Sequence, residues 1–166
     1  ITPATHQIRY NTNIHNFGGD IASLSKVYPY SAHQPGQLQN NIALISTVEE
    51  FPSYIYNYVY FRCAGSEVNN ELLKVAGWGS TIDNSGLLSA KLRQVTLPYA
   101  AQSCRDYYST VGITVDYYMF CAGSLETGGS GICVGDEGGA AVKDYYGYNV
   151  VTGIASYQYK CGEPWR

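Results

Sequence analysis

The stretch Cys133-Val134-Gly135-Asp136-Glu137-Gly138-Gly139-Ala140 decides the fold of this chain. It holds two adjacent carboxylic acids between glycines, and glycine lets the backbone curl so that its N–H groups can surround an anion. Four more stretches accompany it along the chain: Gln39-Asn40-Asn41-Ile42-Ala43-Leu44-Ile45, Val75-Ala76-Gly77-Trp78-Gly79-Ser80, Met119-Phe120-Cys121-Ala122-Gly123 and Gly153-Ile154-Ala155-Ser156-Tyr157. Because they span most of the 166 residues, one explanation should cover the whole chain.

In this order and at this spacing, the five stretches resemble motifs of the trypsin-like serine proteases. The resemblance implies an all-β protein of two six-stranded antiparallel β-barrels. Residues 1–66 would form the remainder of the N-terminal barrel, and residues 67–166 the C-terminal barrel without its last strand and helix. We therefore expect the first barrel and the C-terminal end to be incomplete in this chain, and a further segment or chain to cover the open barrel edges.

The resemblance also shows altered catalytic positions. Glu137 stands where the family has its nucleophilic serine, and Asn41 where it has the aspartate of the triad. None of the three histidines, His6, His15 and His33, lies in the Ala-Ala-His-Cys context of the family's base. A carboxylate at position 137 has no general base arranged to make or resolve an acyl intermediate. We therefore predict that the chain is not an enzyme.

The acidic pair has two different expected roles. Gly135 and Glu137 remain from the backbone that binds the oxyanion in the family, and the Glu137 carboxylate could occupy that backbone itself. Asp136 matches the acid that pairs with the new amino terminus of activated family members. Here Asp136 is either paired or reoriented. We favour a hydrogen-bonded buried carboxylate over a catalytic role, because an unpaired buried charge is costly.

The substrate pocket implied by the resemblance is also changed. Gly131 and Ile132 replace the acid and serine at the pocket floor, so a cationic side chain would find no counter-ion there. Gln158 replaces a glycine against which substrate backbone lies, and Tyr157 replaces a tryptophan of the pocket wall. Ser156 is expected to be a hydrogen-bonded core hydroxyl. These changes predict an occluded cleft.

The chain has five cysteines. The resemblance implies two disulfides, Cys104–Cys121 and Cys133–Cys161, which favours secretion into an oxidising compartment. Cys63 is left over in the connection between the barrels. We predict that it bonds to a missing segment or to a second chain, with a buried free thiol as the alternative.

Composition argues against several function classes. The net charge of −3 and the pI near 5.5 do not fit a nucleic-acid-binding protein, and the arginines are scattered. No apolar run approaches the ~20 residues of a membrane helix. The histidines lack metal-ligand spacing, and the cysteines are used in the implied disulfides, so we expect no metal and no cofactor.

Alternation of β-branched and aromatic residues predicts strands at 7–12, 20–28, 41–48, 73–77, 92–97, 118–122, 140–142 and 150–157. A short helix is expected at 101–108 by resemblance. Residues 54–61 place four tyrosines on one face of an extended strand. That face could bind another protein, or it could pack over the first barrel or against the missing segment.

A narrower resemblance is to the inactivated protease paralogues of the scabies mite, which are similar to group 3 mite allergens. It implies a secreted, catalytically inactive scaffold that binds host proteins, with complement inhibition as the expected effect. Two alternatives remain at this point. One is a hydrolase that uses Glu137, which would need a second carboxylate at a suitable distance. The other is a decoy that captures protease inhibitors.

Overall fold

The structure is a computed structural model that describes residues 1–55, 59–61, 70–100, 102–124 and 126–164. The chain divides into two compact units, Ile1–Tyr58 and Val59–Arg166. The predicted boundary between residues 66 and 67 lies outside the described residues, as does Cys63 with its predicted partner. Tyr56 and Tyr58 of the tyrosine-rich stretch are also outside them. In the part that is described, no helix is long and apolar enough to cross a membrane.

The first unit contains one three-stranded antiparallel sheet in the order β1-β2-β3. The strands are β1 (Gln7–Tyr10), β2 (Asp20–Pro29) and β3 (Ala43–Thr47). A glycine turn connects β1 to β2, and a Cβ on Gly19 would lie 2.1 Å from the Tyr10 carbonyl oxygen. In this sheet Ala22 and Leu24 are buried, while Tyr28 and its cross-strand neighbour Leu44 are exposed.

The second unit contains a six-stranded sheet in the order β4-β9-β8-β5-β6-β7. Its elements are β4 (Tyr60–Phe61), β5 (Leu72–Gly77), β6 (Arg93–Ala100), α1 (Gln102–Thr110), β7 (Cys121–Ala122), β8 (Ala140–Tyr145) and β9 (Tyr148–Ile154). Alternate residues of the strands face inward, as the period of two requires. Leu73, Val75, Leu97 and Ala141 form the buried core.

The predicted all-β fold class is confirmed. Each of the eight predicted strands overlaps an observed one, and the helix is found at Gln102–Thr110. One pairing differs from the antiparallel expectation, because β4 runs parallel to β9, with Tyr60 opposite Val150. The strand predicted at 118–122 is reduced to Cys121–Ala122 because the preceding residues form a turn, in which the Tyr118 N–H donates to the Asp116 carboxylate at 2.9 Å.

Candidate active site

The loop before β8 is fixed to the end of β9 by backbone hydrogen bonds. The Gly138 N–H donates to the Ala155 carbonyl at 2.7 Å, and the Ala155 N–H donates to the Gly139 carbonyl at 2.8 Å. Inside the loop, the Asp136 N–H donates to the Cys133 carbonyl at 3.0 Å. Cys133 is also bonded to Cys161. The positions of residues 135–138 are therefore set by both neighbouring strands and a disulfide.

Glu137 turns its carboxylate back onto the loop. The Gly135 N–H donates to Glu137 Oε2 at 2.8 Å, and the Glu137 side chain is exposed. Gly135 has a φ of 97°, and a Cβ there would lie 2.5 Å from Leu88 Cδ2. Position 135 therefore favours glycine chiefly because of its left-handed backbone, since the exposed Leu88 side chain can move aside. The Gly135 N–H therefore binds the Glu137 carboxylate of the same chain. It is one of the two N–H groups that were predicted to remain from the oxyanion-binding backbone.

Asp136 points the other way, towards the Gly77-Trp78-Gly79 segment that ends β5. Its Oδ1 accepts from the Gly79 N–H at 2.8 Å, and its Oδ2 accepts from the Cys133 N–H at 3.0 Å. A Cβ on Gly77 would lie 2.0 Å from Asp136 Oδ1, and one on Gly79 would lie 2.4 Å from its carboxyl carbon. The two glycines therefore make the space for a half-buried carboxylate that backbone N–H groups satisfy. This role of the two glycines was not predicted from the sequence, although glycines on both sides of a tryptophan were the available signal.

A cleft of about 340 Å³ lies between residues 75–81 and residues 129–133 in the second unit. Asp136 lines it, as do two of the predicted pocket residues, Gly131 and Ile132. Ile132 also packs on the buried core, and a Cβ on Gly131 would lie 2.8 Å from the Gly162 backbone nitrogen. The other three predicted pocket residues, Ser156, Tyr157 and Gln158, lie after the end of β9 and do not line this cleft.

Tyr157 instead belongs to an aromatic cluster with helix α1. Its ring centroid is 6.2 Å from that of Tyr108, and Tyr107 lies 5.7 Å from Tyr108 and 6.4 Å from Tyr159. Burial, and then the neighbouring Tyr157 and Tyr107, raise the pKa of Tyr108 to about 12. Tyr108 is therefore held as the neutral phenol.

The structure contains both disulfides that the resemblance implied. Cys104 of α1 is bonded to Cys121 of β7, with their Cα atoms 5.9 Å apart, and the Cα atoms of Cys133 and Cys161 are 4.7 Å apart. Among the described residues, an Asp83 oxygen and the two sulfur atoms of Cys133 and Cys161 lie within 4.8 Å of one another. Those sulfurs are bonded to each other, so this group does not have the donor set of a metal site.

The other predicted catalytic positions lie in the first unit, whereas Glu137 lies in the second. Asn41 is exposed just before β3. The His33 ring contacts the Gln39 carbonyl through Nδ1 at 3.1 Å, and the Thr2 N–H donates to His6 Nδ1 at 3.2 Å. The described contacts of these two histidines are therefore local.

Family comparison agrees with the fold. The trypsin family model matches residues 4–166, so the chain belongs to the trypsin family. It is 32% identical over 161 residues to trypsin Blo t 3 of Blomia tropicalis, which covers 94% of this chain and 59% of that relative. It is 31% identical over 159 residues to the alkaline C trypsin of Manduca sexta, covering 93% of this chain and 60% of the relative. Trypsin Tyr p 3.0101 of Tyrophagus putrescentiae is 27% identical over 165 residues, covering 98% and 56%.

The chain thus spans less than two thirds of the length of these relatives, between 56% and 60%. The same comparison corrects one prediction. The expectation that the chain is not an enzyme is contradicted, because the relatives that it matches are named trypsins. That expectation relied on the replaced residues Glu137 and Asn41 and on the sequence context of the three histidines.

Proposed function

We propose that this member of the trypsin family is secreted and acts through protein–protein contact. Host-defence proteins, complement components among them, are its proposed partners. The observation that carries the proposal is the hydrogen bond from the Gly135 N–H to the Glu137 carboxylate. Two disulfides and the core of the second unit support it, because they provide a rigid framework on which exposed loops can bind a partner.

The hydrogen bond of Glu137 affects how a ligand can use the loop. A carbonyl oxygen that approached the Gly135 N–H would first have to displace a carboxylate, which is the stronger acceptor. The neighbouring Asp136 side chain is already engaged, since both of its oxygens accept from backbone N–H groups. A partner protein is therefore better accommodated by other surfaces of the second unit, where many tyrosines are exposed.

The partner proposal is tested by incubating the immobilised full protein with serum and by measuring complement-dependent lysis in parallel. We expect complement components to be retained and lysis to fall as protein is added. Glu137→Gln is the matched variant, because it removes the charge and keeps an oxygen that can accept from Gly135. We expect this variant to retain the same components. Lysis that is unchanged at saturating protein would reject the complement assignment.

A second candidate is peptide-bond hydrolysis, which the named trypsins among the relatives favour. In this chain the side chain available at the nucleophile position is the Glu137 carboxylate. The test is turnover of a panel of peptide amides by the full protein and by Glu137→Ala, with circular dichroism to show that the variant is folded. Turnover that disappears in the variant would support hydrolysis at this residue. Turnover that is equal in both proteins, or absent from both, would reject it.

A further inference from the structure

The hairpin between β8 and β9 ends in an unusual group of aromatic side chains. Its turn residues are Tyr146 and Gly147, with φ values of 52° and 82°, and Tyr145 pairs with Tyr148 across the turn. Two turn residues with positive φ match the right-handed twist of a hairpin, and asparagine followed by glycine is the usual choice. Here a tyrosine takes the place of asparagine.

The rest of the chain shows how unusual this tyrosine is. Among the described residues, six that are not glycine have positive φ, and the other five are Asn11, Asn16, Asn40, Asn70 and Asn84. Asparagine tolerates this backbone because its short polar side chain bonds locally, whereas a bulky side chain is disfavoured there. Tyr146 gains no burial in return, since 85% of its surface is exposed. A strained and exposed aromatic residue indicates a role outside the fold.

The neighbours of Tyr146 are also aromatic and form ring pairs. The Tyr145 ring lies 4.8 Å from the Tyr146 ring, and the Tyr148 ring lies 6.0 Å from the Tyr60 ring of β4, each pair in an edge-to-face arrangement. All four rings are exposed, and we call them the tyrosine tip. The Asp144 carboxylate accepts from the Gly147 N–H at 3.0 Å and so closes the turn.

Charge around the tyrosine tip favours a cationic partner. Lys143, whose ammonium lies 5.7 Å from the Tyr145 ring centroid, is already paired with Glu71. Asp144 is an exposed carboxylate at the tip, and the chain as a whole carries a net charge of −3. Tyrosine faces are electron-rich and attract arginine and lysine side chains, and an adjacent carboxylate adds to that attraction.

We propose that the tyrosine tip, together with Asp144, docks a protein segment that carries arginine or lysine side chains. The inference rests on the proposed function, because it names the surface and the partner chemistry of the same protein–protein contact. Tyrosines suit this role because they offer a large contact area with few rotatable bonds to immobilise.

The test is the affinity of the full protein for a labelled peptide of alternating arginine and glycine, with a glutamate–glycine peptide for comparison. We expect Tyr146→Asn to weaken binding of the basic peptide at least tenfold while its unfolding midpoint stays equal or rises. Asp144→Asn, which keeps an acceptor for the Gly147 N–H, should weaken binding about threefold and reduce its salt dependence. The matched control is Tyr118→Asn, because Tyr118 is 81% exposed and, like Tyr146, lies two residues after an aspartate. Its affinity should stay within twofold.

Three results with the purified protein would overturn the inference, and a fourth comes from serum. The first is basic-peptide binding that Tyr146→Asn leaves unchanged. The second is equal affinity for the acidic peptide. The third is self-association of the protein that Tyr146→Asn abolishes, without preference for the basic peptide. The serum proteins that each variant retains distinguish a failure of this inference from a failure of the proposed function. If the parent and Tyr146→Asn retain the same serum proteins, the tip is rejected and the proposed function stands. If the parent retains no serum protein yet binds the basic peptide, the tyrosine tip stands and the proposed function is rejected.

Discussion

The two units of this protein use the same kind of strand to very different effect. In the second unit, Leu73 and Leu97 are buried, and two disulfides cross-link the same unit. In the three-stranded sheet of the first unit, Ala22 and Leu24 are buried while Leu44 leaves 74% of its surface exposed. Alternation of apolar residues therefore forms a core only where a second layer covers the apolar face.

The largest expected effect tests that contrast by core truncation. Leu73→Ala should lower the free energy of unfolding by about 4 kcal/mol, because it leaves a cavity in a closed core, whereas Leu24→Ala should cost about 2 kcal/mol. Leu72→Ala is the matched control, since Leu72 neighbours Leu73 and is exposed; its effect should stay below about 0.5 kcal/mol. Denaturant unfolding measures all three. Equal losses for Leu73→Ala and Leu24→Ala would remove the difference between the units.

The next effect concerns the contact that positions the loop of the second unit. Gly79→Ala places a methyl group against the Asp136 carboxylate, so we expect the free energy of unfolding, measured by denaturant unfolding, to fall by about 2 to 3 kcal/mol. Gly86→Ala serves as control, because a Cβ there meets nothing within 4 Å, although its φ of 67° carries a smaller backbone penalty. A Gly79→Ala protein as stable as the parent would show that Asp136 has other positions available.

We also expect the stability of the second unit to depend on pH at alkaline values. The pKa of Tyr108 is raised in the folded state, so the neutral phenol is favoured by folding and its contribution is complete below pH 10, the ordinary value. That contribution should be lost as the pH rises from 10 to about 12. Tyr108→Phe should remove this part of the alkaline stability loss, as followed by thermal unfolding against pH. An alkaline profile identical in the parent and the variant would contradict the assignment.

The smallest expected effect is that of a substitution at an exposed position of the first unit. Leu44→Ser should change the free energy of unfolding by less than about 0.5 kcal/mol, because the side chain is mostly in water. Leu97→Ser, at a buried position of the second unit, provides the contrast. A loss above about 1 kcal/mol for Leu44→Ser would mean that its side chain is covered in solution, which would reduce the difference between the two sheets.

Much of the fold could be predicted from the sequence because strand residues repeat with a period of two. The strand from Leu72 to Gly77 shows this alternation locally, because Leu73 and Val75 are buried and the residues between and beside them are exposed. Short β4 could not be predicted as a partner of β9, since pairing of Tyr60 with Val150 depends on a contact between distant parts of the chain. Cys104 and Cys121 could be paired only through the family resemblance, because spacing alone leaves several disulfide connectivities open.

Some features of the candidate site could also be predicted from the sequence, and others could not. The sequence by itself determined the membership of the family and the presence of Glu137 in the nucleophile loop, since both are matters of residue identity and order. Only the tertiary structure decided which donors the two carboxylates bind, and that Asp136 reaches Gly79 from 57 positions along the chain. It also decided that Tyr146 is strained and exposed. Hydrogen bonds and burial depend on which segments folding brings together, and a pattern of neighbouring residues does not contain that information.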